Sequence, residues 1–110
     1  MRAIIKAKVE DETRAWSKRE KMISGQILSL EDKVKYQQHM LDRYTESLSR
    51  ESYLTVAGKV NPMWTLLSNA VRITREQLGG TQELLSSCKK ALRRGERRHM
   101  LVLKLARLAG

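Results

Sequence analysis

The sequence has no phenylalanine, one cysteine and one proline, and aromatic residues make up only 5% of its 110 positions. A chain this poor in large rings, with 31% charged residues, lacks the material for an ordinary compact core. One cysteine excludes an internal disulfide and points to a reducing compartment. No stretch approaches the ~20 apolar residues needed to cross a bilayer. The opening "MRAIIKAKVEDE" has no apolar run of signal-peptide length. These absences predict a single cytoplasmic domain, 1–110, with no membrane span.

Chemistry is missing as well. The two histidines, His39 and His99, share no metal-ligand spacing with Cys88. "LGGTQ", around Gly79 and Gly80, is neither of the glycine patterns that cradle phosphates. The carboxylates are scattered along polar stretches and form no acid–base pair. The expectation is a protein that is not an enzyme and has no cofactor and no metal.

What is present is Leu, Ala, Glu, Lys and Arg in the proportions of long helices or coiled coil. Val9, Trp16, Ile23 and Leu30 recur every seven residues, and so do Ile27, Val34, Leu41 and Leu48. Read as heptads, the second row takes a and the first takes d, with Tyr44 also at d. A seam held this long is that of a coiled coil. Thr13 and Glu20 at a weaken it toward the N-terminus, and Gln37 is a polar d residue.

The second half alternates steps of three and four from Trp64 through Val71, Leu78, Leu85, Leu92 and His99 to Ala106. Leu66, Ala70, Ile73, Leu84, Ala91 and Leu105 flank that stripe, which predicts burial of more than one face. Gly79 and Gly80 fall inside it, and each costs about 1 kcal/mol against alanine in a helix. They read as a local kink, a tolerated weak point or a hinge.

Between the stripes, "RESYLTVAGKVNP" breaks the heptad. Asn61 is a good N-cap, and Pro62 directly behind it needs no amide donor. The predicted fold is all-α: a long antiparallel two-helix coiled-coil hairpin. Helix one covers about 3–50, a connecting loop about 51–61, and helix two about 62–108. With the turn centred near residue 56, Trp16 falls opposite Gly95 and Leu30 opposite Thr81. The indole then meets a residue with no side chain, as a knob meets a hole.

Charge is concentrated at one end of this hairpin. Residues 1–22 and 88–110 hold fifteen Lys or Arg against five Asp or Glu, a difference equal to the whole net charge of +10. Lys89, Lys90, Arg93, Arg94, Arg97 and Arg98 recur in pairs at helical spacing, with Lys18 and Arg19 on the other helix. Three readings of this basic end stand: a solvated helix end favoured by the macrodipole, a surface for an acidic protein, or a nonspecific phosphate binder. Nucleic acid has the weaker case, because no aromatics interleave the cations for base stacking. Two helices cannot enclose a full interior, so part of the apolar surface needs another chain to cover it. At the far end the candidate partner-binding residues are Tyr53, Leu54, Met63, Trp64 and Leu66.

The opening basic helix "MRAIIKAKVEDETRAWSKREK", the break at "VAGKVNP" and the arginine-rich "ALRRGERRHMLVLKLARLA" together resemble one family over nearly the whole chain. It is the stalk proteins of bacterial type III secretion and flagellar export, the FliJ/YscO family. The resemblance is one of architecture, since no short diagnostic motif is shared. It implies a stalk whose terminal end enters the pore of a hexameric secretion ATPase and which also contacts an export gate protein. Chaperones are further partners that it implies. Carried onto this sequence, Arg93, Arg94, Arg97, Arg98, Lys18 and Arg19 face the ATPase, and the region from Tyr53 to Leu67 lies near the gate. Two other readings of the chain are a basic helical module for nucleic acid and a helical secretion chaperone or partner subunit.

Overall fold

A computed structural model describes residues 2–109. Two α-helices of 48 residues each, α1 (Arg2–Ser49) and α2 (Pro62–Ala109), form an all-α helical hairpin. Good helix formers fill both, and the one proline sits at the first position of α2, where its missing N–H costs nothing. At the end of α1 the chain tightens, with Arg50 and Glu51 donating to the carbonyls of Ser47 and Leu48 at 3.2 and 3.1 Å.

The start of α2 is fixed by Asn61. Its Oδ1 accepts from the N–H of Met63 at 3.0 Å, which satisfies a first-turn donor. Its Nδ2 donates to Glu51 Oε2 (3.1 Å) and to the Ser52 carbonyl (2.9 Å), tying the cap to the end of α1. The connection itself is ordered. Leu54 and Val60 form an antiparallel bridge, and Thr55 N–H donates to the Lys59 carbonyl at 2.7 Å. Gly58 closes this turn with φ 78°, a left-handed conformation that a Cβ disfavours.

The chain divides into two compact units, each made of both helices. A terminal unit comprises Met1–Ser29 with Leu85–Gly110, and a loop unit comprises Leu30–Leu84. In the terminal unit Trp16 and Ile27 are buried. The loop unit buries Val71 and Leu78 together with the polar Gln37, Thr74 and Thr81.

Every position of the α2 stripe from Trp64 to Ala106 is buried or half-buried, whereas Thr13 and Glu20, which the heptads put on the α1 seam at a, are exposed. The expected width of the α2 stripe needs correction. Of the flanking residues only Ala70 and Ala91 are half-buried; Leu66, Ile73, Leu84 and Leu105 are exposed, because one helix partner covers only one face. α2 runs helical through Gly79 and Gly80. No side chain among the described residues is fully buried.

Candidate partner-binding surfaces

The terminal unit is organised around Trp16. The indole is 7% exposed and lies over Gly95, where a Cβ would meet its six-membered ring. His99, one turn further along α2, stacks beside it with ring centroids 6.3 Å apart and planes inclined by 27°. Arg19 places its guanidinium 6.0 Å from the ring centroid on α1, within reach of a cation–π attraction. One of the predicted partner-binding cations, Arg19, therefore lies near the Trp16 ring while remaining exposed.

Lys18 and the cations of α2, Lys89, Lys90, Arg93, Arg94, Arg97 and Arg98, are exposed. Among the described residues the ion pairs are Arg14–Asp11, Arg50–Glu46 and Arg72–Glu76. None of them involves this row. Lys90, Arg93, Arg94 and Arg97 converge on a shallow hollow of 220 Å³. Four cations around one hollow, none of them ion-paired among the described residues, make a local positive field suited to an anionic surface.

A second feature of the terminal unit was harder to see in the sequence. Ile4, Met100, Leu101, Leu105 and Leu108 are exposed apolar side chains beside this charge. The signal was the run "HMLVLKLARLA", which has more apolar residues than one stripe accommodates. Two hollows open there, one of 410 Å³ at Ile5, Val9 and Ala106 and another of 460 Å³ at Met100, Leu101 and Leu103.

In the loop unit the predicted patch separates into two roles. Trp64 is half-buried and meets Tyr53 edge to face, with centroids 4.7 Å apart. Tyr53, Leu54, Met63 and Leu66 are exposed. Val56 and Val60 extend the patch, Val56 being fully open to solvent. From Ser52 to Val71 the only charged residue is Lys59, in a chain that is 31% charged. That depletion was legible, but the turn that displays Val56 and Val60 was not.

His39 is exposed and Cys88 half-buried. Among the described residues no group of three or more His, Cys, Asp or Glu is placed to hold a metal ion, and no helix is long and apolar enough to cross a membrane. The chain matches no protein-family model, no curated protein and no solved structure.

Proposed function

We propose that the chain is a non-enzymatic stalk or adaptor of a bacterial type III protein secretion apparatus, linking an export ATPase ring to an export gate in the cytoplasm. The observation that carries this reading is the division of surface chemistry. The terminal segments hold the entire net charge of +10, while Ser52–Val71 holds one charged residue among exposed Tyr53, Leu54, Val56, Val60, Met63 and Leu66. A basic end steers encounter with an acidic ring. An apolar end suits a different partner, whose affinity comes from buried area.

In this reading Arg93, Arg94, Arg97 and Arg98 dock on the ATPase, with Lys18 beside them and Arg19 positioned through Trp16. Their test is reversal of the four arginines to glutamate. ATPase co-purification and secretion are then lost while helix content is kept. Retained secretion would overturn the proposal.

The unpaired cation row favours one further reading, a nonspecific binder of nucleic-acid phosphates. It predicts duplex binding that weakens steeply with salt. Absence of a mobility shift at low salt removes it.

A further inference from the structure

The two small residues of the terminal seam are treated differently. At Gly95 the hole is filled by Trp16 from α1. At Ala106 it is not: Ile5, Val9 and Leu103 surround a hollow of 410 Å³. The hollow shares Leu103 and Arg107 with a neighbouring one of 460 Å³, where Met100 and Leu101 are 65% and 55% exposed. Together they follow α2 from Arg97 to Arg107, about 15 Å at 1.5 Å per residue, or two to three helical turns.

The rim of this groove is cationic. Arg2 and Lys6 lie on the α1 side and Arg97, Lys104 and Arg107 on the α2 side, with Glu10 the one lining carboxylate. None of these cations is in an ion pair among the described residues. We infer that the groove seats an acidic amphipathic helix from a partner protein, its apolar stripe filling the hollow at Ala106 and its flanking carboxylates meeting the cationic rim.

Charge decides among the occupants. A second copy would bring its own basic terminal unit, fifteen cations against five anions, against this one. Like charges so placed oppose docking. Phosphate backbones offer no apolar knob for the hollow. A bilayer surface covers a convex ridge better than it fills a concave groove, whereas a helix presents knobs at i, i+3, i+4 and i+7. The inference rests on the basic terminal unit being a protein-docking end, and does not require the partner to belong to a secretion apparatus.

The probe is a fluorescent synthetic helix of about eighteen residues, roughly five turns, with a leucine stripe flanked by glutamates. Anisotropy against the full chain should show saturable binding, lost when the glutamates become lysine or the leucines become serine. Ala106→Leu fills the hollow from within and should weaken binding about tenfold or more, with helix content and melting kept. Lys104→Glu with Arg107→Glu should weaken it independently.

Equal binding of the serine-stripe peptide, or no effect of Ala106→Leu, would overturn the groove. Displacement of the peptide by phosphatidylserine-containing vesicles would reassign the surface to a membrane. If Ala106→Leu has no effect while reversal of Arg93, Arg94, Arg97 and Arg98 abolishes binding, the groove fails and the docking end stands. If neither changes binding, both fail.

Discussion

The Cζ3–Cη2 edge of the Trp16 indole occupies the space where Gly95 would carry a side chain. The two positions form one packing unit across the antiparallel helices, so their substitutions must be coupled. Gly95→Ala drives a methyl into the ring and should cost about 1–3 kcal/mol by overpacking. Trp16→Leu removes the clash, but loses the indole together with its contacts to His99 and Arg19. Combined, the two changes should cost less than their sum by about 0.5–3 kcal/mol, the range for residues in contact. Urea unfolding of the four proteins measures this, and additive costs would show that the indole and the glycine do not meet.

Gly79 and Gly80 have no such partner. A Cβ at either position has nothing within 4 Å apart from the helix itself. Neither close approach nor a positive φ explains them. Gly79→Ala and Gly80→Ala should therefore each stabilise by about 1 kcal/mol, through helix propensity and a less flexible unfolded chain. Thermal melts followed by circular dichroism give the sign directly, and destabilisation would contradict the open space seen here.

The contrast between these glycines bears on what the sequence could convey. Heptad spacing encodes which face a helix turns to its partner, so the α2 stripe and the Trp16–Gly95 match were legible, although Thr13 and Glu20 at a are exposed. Asn61-Pro62 likewise announced the start of α2, because capping is local. The width of the buried face was not legible. Leu66, Leu84 and Leu105 look like core residues to periodicity, but only the number of neighbours decides whether they are covered. The Leu54–Val60 bridge depends on backbone pairing between residues that carry no pattern, and it too was missed. Of the candidate sites, the cation row stood in the sequence, whereas the hollow at Ala106 appears only when Ile5 and Val9 are set against it.

Gln37 illustrates a different balance. It sits buried in the loop unit with Oε1 lacking any hydrogen-bond partner. Leaving a buried acceptor unsatisfied costs about 1–3 kcal/mol. Replacing it by leucine at a d position removes that penalty, so Gln37→Leu should raise the guanidinium midpoint by an amount equivalent to about 1–2 kcal/mol. A lower midpoint would mean that the amide makes a bond worth keeping.

The connection should be stiff, because Asn61 and Gly58 hold it from both sides. Asn61→Ala removes the cap on Met63 and the bonds to Glu51 and Ser52, and should cost about 1–2 kcal/mol. Gly58→Ala forces a side chain into the left-handed region and should cost about 1 kcal/mol. Amide hydrogen exchange checks both, since Thr55 and Asn61 donate across the turn and should lose protection in either variant.

Exposed and packed members of the loop patch should separate when tested side by side. The Met63 and Leu66 side chains are exposed. Only the backbone N–H of Met63 serves the cap. Met63→Ser with Leu66→Ser should therefore leave the denaturation midpoint within about 0.5 kcal/mol of the parent. Trp64→Ser loses the edge-to-face contact with Tyr53 and a place on the seam, and should cost about 3 kcal/mol or more. If the patch meets the export gate, the double serine variant loses secretion while remaining folded, a phenotype that instability cannot produce. Normal secretion by that variant would remove the gate from the proposed function and leave the apolar loop surface without a role in it.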